Sequence, residues 1–299
     1  MPNVKLKNYL HLHFLVFIAG FTAILGELIT ITAIPLVWYR MVIALALMYL
    51  YIKIKGIRMK IGFKFMLRFS LAGVIIALHW ITFFGAIDEA NVSIALSMFS
   101  TGAFFASIIE PLIYRRKVIW YEMLFGILVI IGVAIITQSE MKYLTGIVLG
   151  IVSAFLSSLF AVINGKFQEQ HSATTISFYE FIGGIIFITI FIELSRGGFS
   201  KEFFILSTSD YGYLFILASV CTAYAFIAAV YVMRYISPYS VVLTYNLEPI
   251  YGILLALLLF PEKEKMSHQF YIGAILIITT VLLNGIIKNS GALKRKATN

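Results

Sequence analysis

The sequence predicts an all-α integral membrane protein whose ten transmembrane helices form two inverted five-helix repeats. Three observations predict it. The composition is far too apolar for water, the basic residues alternate from loop to loop, and the helix patterns of the first half return in order in the second.

Of 299 residues, 61% are hydrophobic and 12% charged, where a soluble domain is about 45–50% apolar and about 25% charged. A soluble chain of this size could not hide that much apolar surface, because its loops and helix ends must still face water. A transmembrane helix needs roughly 20 apolar residues, so ten use about two thirds of this length and leave only short loops. Helices are the economical spanning structure, since lipid offers no partner to backbone N–H and C=O groups.

The apolar segments run over 10–29, 34–54, 66–87, 91–114, 118–137, 143–165, 174–194, 211–234, 238–260 and 269–288. The first is the least apolar, with His11, His13 and Glu27, and follows Lys5 and Lys7. It mimics a signal peptide but shows no convincing cleavage pattern, so it reads as a retained helix. With the N-terminus inside, the inner segments hold Lys5, Lys7, the stretch Lys53 to Arg68, Arg115 to Lys117, Lys166, Arg234 and the basic tail, 17 basic residues in all. The outer segments hold Lys142, Arg196, Lys201, Lys263 and Lys265, which is five. That asymmetry places both termini in the cytoplasm and fits a multi-pass protein of a bacterial inner membrane. The net charge of +9 therefore reads as topology rather than nucleic-acid binding. The basic stretch 53–68 reads as a topology determinant touching anionic lipid.

The repeat divides the chain into 1–140 and 141–299. Trp38-Tyr39-Arg40 opens helix two, and Phe178-Tyr179-Glu180 opens helix seven 140 residues later. The run from Tyr121 in helix five returns from His268 in helix ten, 147 residues on, with Gly126 matching Gly273. Five is odd, so the second half enters from the opposite side. Such halves recur in secondary transporters, which rock around a site near the midplane.

Three features carry a more specific resemblance: Trp38-Tyr39-Arg40, the stretch from Leu247-Glu248-Pro249 to Phe260-Pro261-Glu262, and the glycine-spaced fifth helix of each half. With them the chain resembles the EamA family of the drug/metabolite transporter superfamily over nearly all its length. The resemblance implies ten helices, a central cavity lined by both halves, and transport of small metabolites, often outward. The first half departs from the family pattern at Gly102, where proline is expected, and at Arg115-Arg116; Glu180 replaces the second arginine.

Charged groups within a bilayer are costly, about 2.5–3.5 kcal/mol each at the centre on insertion scales, so the few present point to the site. Glu248 lies about eleven residues into helix nine. The Pro249 after it has no N–H, which frees a carbonyl one turn earlier. Glu248 is a candidate for proton exchange or a cationic substrate group, or else a structural acid. Arg40 could hold a substrate carboxylate or snorkel to the headgroups, and Glu180 with Tyr179 is its counterpart. His79 suits proton exchange or helix packing, while Trp80 and Phe83 could stack on an organic substrate or simply fill space. Tyr224 in helix eight, Tyr245 and Asn246 before Glu248, and Met98 in helix four complete the candidate binding set. Asp88, Glu89 and the Glu262–Lys265 run read as solvated loop charges, and Asp210 as a loop residue.

The expected function is a secondary transporter that exports a small organic metabolite, an amino acid or similar amphipathic solute. Alternating access would be coupled to protons through Glu248 or His79. Partners are the solute, lipid and protons, with the protein a monomer or homodimer. No nucleotide-binding GxxxxGK[ST] occurs, and no CxxC or HExxH spacing suggests a metal, so neither cofactor nor metal is expected. The alternatives are a membrane-embedded enzyme and a channel. The first lacks paired intramembrane aspartates and a serine-histidine set, and the second lacks rings of charge.

Overall fold

The computed structural model describes residues 2–115, 117, 119–232, 235–236, 244–245 and 247–297. The helices are α1 (Pro2–Leu28), α2 (Ala33–Lys55), α3 (Phe63–Glu89), α4 (Val92–Phe99), α5 (Gly102–Tyr114), α6 (Trp120–Ser139), α7 (Leu144–Phe167), α8 (Ala173–Arg196), α9 (Thr208–Ala218), α10 (Ala225–Val232), α11 (Glu248–Leu259) and α12 (His268–Ala297). Among the described residues there is no β-strand. Seven spans are long and apolar enough to cross a membrane, the α4–α5 pair counting as one of them. Three shorter apolar stretches, Met123–Ser139, Glu248–Leu259 and His268–Asn284, lie in α6, α11 and α12.

Close crossings organise the bundle. A methyl group on Gly73 of α3 would collide with the backbone of Glu180, and one on Gly183 of α8 with the backbone of Ser70. Only bare backbone permits α3 and α8 to approach so closely. Glycines do the same between α6 and α12, where a Cβ on Gly273 would stand 2.8 Å from the Gly132 carbonyl oxygen. The main core gathers side chains from α1, α2, α3, α4, α8, α9, α10 and α11. A second cluster, with Ile94, Met98, Ile136, Ile147, Phe270, Ala274 and Ile277, joins α4 to α6, α7 and α12.

Two spans are broken where the sequence suggests continuous helices. Helix four divides at Ser100 and Thr101. Their hydroxyls bond back to the Leu96 and Met98 carbonyls at 3.0 and 2.6 Å, and the Thr101 and Phe104 amides reach only three residues back. Side-chain oxygens that compete for backbone partners loosen a helix in this way. In helix nine, α11 begins afresh at Glu248 after a turn at Leu247, with Pro249 in its first turn. There proline's missing N–H removes nothing the helix needs. Thr101 and Glu248 are 147 residues apart, the spacing at which helix five returns as helix ten. A third irregularity lies between α9 and α10, where Ser219–Tyr224 is wound as π-helix.

One end of the bundle is stitched by carboxylates that cap helices distant in sequence. Glu264 is fully buried and accepts from the Val92 and Ser93 amides at 3.0 and 2.9 Å, which satisfies two of the open donors that begin α4. Asp210 closes a capping box with Ser207 and also accepts from the Thr30 amide and hydroxyl at 2.8 and 2.7 Å. Asp88 accepts from the Ala33 amide that starts α2, and Glu140 from the Ser267 amide that precedes α12. Lys263 pairs with Glu27 at 2.6 Å. Asp88 and Lys263 are exposed, as expected of solvated charges, though each has a partner; the expectation of a loop residue at Asp210 and a solvated one at Glu264 is corrected, since both are buried. A buried carboxylate persists when backbone donors replace its water.

Candidate functional site

Among the described residues the one buried arginine or lysine side chain within a span is Arg40 of α2, 2% exposed. Its guanidinium lies 4.0 Å from the centroid of the Trp80 ring and 5.6 Å from that of Phe84, so two aromatic faces of α3 cover it. Nε donates to the Thr222 hydroxyl at 2.6 Å, and one terminal nitrogen makes a long 3.5 Å contact with the Cys221 carbonyl. Both partners come from the π-wound segment, whose wider turn alters the normal backbone pairing. The other terminal nitrogen, Nη1, is buried with no partner. Glu248 lies within electrostatic reach of Arg40 without a contact ion pair. It sits in the first turn of α11, where the helix dipole favours negative charge.

Trp80 joins these charges to an aromatic group, meeting Phe181 of α8 edge-on at 5.8 Å and Phe226 of α10 at 5.6 Å. Tyr245 packs against the same core and feels the Glu248 charge. Asn246 lies outside the described residues. Arg40, Trp80, Tyr245 and Glu248 are thus brought into one neighbourhood.

His79 is placed differently. Its Nδ1 lies 3.1 Å from the Ser153 carbonyl and 2.9 Å from the Ser153 hydroxyl, while that hydroxyl is 3.2 Å from the His79 carbonyl. An Nδ1–H donated to the carbonyl makes the imidazole a tie between α3 and α7. Phe99 stacks on its ring at 5.5 Å, and Phe83 touches both rings.

Three candidates lie elsewhere. Met98 is in the second cluster, pressed against Gly150 of α7. Tyr224 is 41% exposed and bonds through its hydroxyl to Nε2 of His11 at 2.7 Å, on the outer surface of the bundle. Tyr179 reaches across the end opposite the carboxylate caps and donates to the Met59 carbonyl at 3.0 Å. Each belongs to the helix the sequence assigns. Which face of that helix meets the centre depends on neighbours the sequence does not order.

Glu180 occupies in α8 the place Arg40 has in α2. It is 1% exposed, and the Asn164 amide donates to it at 2.8 Å. The two repeat-related charges therefore share a plan, each buried and each bound to one neutral side chain of another helix. Thr222 and Asn164 escape sequence reasoning because neutral polar residues in a span carry no signal of their own. Among the described residues no three His, Cys, Asp or Glu side chains gather as a metal site.

The pattern of the EamA-like transporter family matches residues 7–138 and again 144–286. The chain belongs to the EamA-like transporter family. This makes it a membrane transporter of the drug/metabolite type, built from two copies of one unit. The two matches put Arg40 and Trp80 in one copy of the transporter and Thr222, Tyr245 and Glu248 in the other, so the charged neighbourhood lies on the seam between copies. No curated protein sequence matches the chain. A solved crystal structure, titled only as that of a protein, is similar to the transporter at a TM-score of 0.64 and 12% identity, over 93% of this chain and 97% of that one. At that identity the likeness concerns the fold alone.

Proposed function

We propose that this transporter crosses the membrane ten times, as inverted repeats over 1–140 and 141–299, and moves a zwitterionic amino acid or similar amphipathic solute by alternating access. Seven long and three shorter apolar helices support the count. The 17 to 5 division of basic residues supports cytoplasmic termini in a bacterial inner membrane. The breaks at Thr101 and Glu248, one repeat apart, support the inversion, since paired discontinuous helices mark such sites. Outward direction follows the usual sense of transport in the family.

The observation that carries the substrate reading is the unpartnered Nη1 of Arg40 beside a carboxylate it does not pair with. An unsatisfied buried donor costs about 1–3 kcal/mol. A solute carboxylate removes that cost with a charge-assisted bond. The solute's ammonium then faces Glu248, and its apolar part lies against Trp80. Proton coupling is assigned to Glu248 rather than His79, because Nδ1 of His79 is engaged with Ser153. Glu248 accepts a proton when the ammonium leaves, so the empty carrier returns with one more positive charge than the loaded one and each cycle exchanges one solute for one proton.

Counterflow of labelled amino acids in proteoliposomes tests this reading. Saturable exchange is expected for amino acids and not for the matching amines that lack a carboxylate. Arg40→Gln should abolish the distinction. Passage without saturation or counterflow, at channel-like rates, sinks the transporter reading; equal exchange of acid and amine sinks the role of Arg40.

A further inference from the structure

A groove of about 310 Å³ opens between α3 and α7, away from Arg40. Its walls are Arg68, Leu71, Ala72 and Ile75 of α3 with Ile163 and Phe167 of α7. Spacings of three and four residues put the α3 members on one helix face, and Ile163 and Phe167 are likewise four apart. Five of the six are apolar. The one charge, Arg68, stands at the end nearest the start of α3, with its guanidinium 5.8 Å from the centroid of the Phe65 ring. Lys64 lies one turn earlier on the same face, and Lys60 precedes it in the linker. Among the described residues none of the three cations forms an ion pair.

We propose that this groove is a binding site for one anionic phospholipid, with its phosphate on Arg68 and Lys64 and an acyl chain along Leu71, Ile75, Ile163 and Phe167. The division of the groove into a cationic end and an apolar length is what selects such an occupant. From Arg68 to Ile75 the wall is roughly 10 Å long at the helical rise of 1.5 Å per residue. Acyl chains are already in an apolar solvent, so the walls give shape and residence rather than a hydrophobic gain. Selectivity comes from the two uncompensated cations, which favour a net negative headgroup over one that neutralises its own phosphate. A free phosphate would find the cations but leave the apolar walls unused. The site also lies on a seam, since α3 falls within the 7–138 match and α7 within 144–286. It does not depend on the identity of the transported solute.

Native mass spectrometry of the full transporter, released from nanodiscs of equal phosphatidylglycerol and phosphatidylcholine, tests the site. One phosphatidylglycerol should be retained in preference to phosphatidylcholine by about fivefold or more, the effect expected for each interfacial cation. Arg68→Gln should cut that preference by about fivefold, leaving the share due to Lys64. Ile75→Trp fills the groove without touching the headgroup end and should lower retention of both. Millimolar inorganic phosphate should leave retention unchanged. Undiminished phosphatidylglycerol in either variant overturns the proposal, and so does displacement by phosphate. Arg68 is exposed, so Arg68→Gln is expected to unfold at the same temperature as the parent, and that measurement separates lost lipid from lost fold.

Discussion

Nε of Arg40 donates a 2.6 Å hydrogen bond to the Thr222 hydroxyl, and that hydroxyl donates at 2.7 Å to the Leu217 carbonyl five residues back. One threonine thus satisfies a buried arginine and a carbonyl of the π-wound turn together. Thr222→Val keeps the shape and removes the hydroxyl. The variant is expected to lose about 1–3 kcal/mol, read as an earlier thermal unfolding in detergent, and Thr222→Ser should recover most of it. Full stability in Thr222→Val would show that the arginine finds another partner.

The α3–α8 crossing makes a sharper demand. Gly73→Ala and Gly183→Ala each drive a methyl into the opposing backbone, which cannot yield as a flexible side chain would. Overpacking costs about 1–3 kcal/mol and occasionally more, and both variants should fall at or above the top of that range. Gly212→Ala in α9 meets nothing within 4 Å and should be neutral or gain about 0.5–1 kcal/mol. A common unfolding temperature for all three would refute the close crossing.

Burial holds the Glu264 carboxyl above its ordinary 4.5, against the opposing pull of the Val92 and Ser93 N–H bonds and with Glu27 nearby. A raised folded pKa means the folded protein binds this proton more tightly than the unfolded chain. The group's contribution to stability therefore falls as pH rises through the window between 4.5 and the raised value. Glu264→Gln should remove that slope. It should also cost about 1–3 kcal/mol at neutral pH, since one oxygen cannot serve both amides in the same geometry. Unfolding temperatures of parent and variant from pH 5 to 8 check both statements. Parallel curves would exclude Glu264 as the source of the slope.

His79 and Glu248 are separated by their partners. His79→Asn is expected to lower stability by loosening the α3–α7 tie while preserving the shape of the transport pH profile. Glu248→Gln should flatten that profile. The reverse result in proteoliposome uptake across pH would move the coupling role to the imidazole.

Much of this architecture is readable from the sequence, because a run of apolar residues long enough to span lipid has few other uses. Arg40, Glu248 and Glu180 stand out for the complementary reason that charge is rare there. The break at Thr101 is legible only through its partner at Glu248, since no proline marks it. Glu264 resembles its solvated neighbours in sequence, and its partners at Val92 and Ser93 lie some 170 residues away. Met98 and Tyr224 lie on helices legible in the sequence, but their faces are set by neighbours such as Gly150 and His11 that helical periodicity cannot order.

The capping carboxylates have a consequence for synthesis. Asp210 and Glu264 belong to the later part of the chain, while the amides they hold, at Thr30, Val92 and Ser93, are made first. The separations are 180 and 172 residues. At 5–20 residues per second the ribosome needs roughly ten to forty seconds to bridge such a distance. During that time the α1–α2 turn and the start of α4 in the nascent first half lack those partners. The loop that carries Glu264 therefore closes the start of α4 long after α4 is made, and a chain interrupted before Glu264 leaves the Val92 and Ser93 amides without that partner.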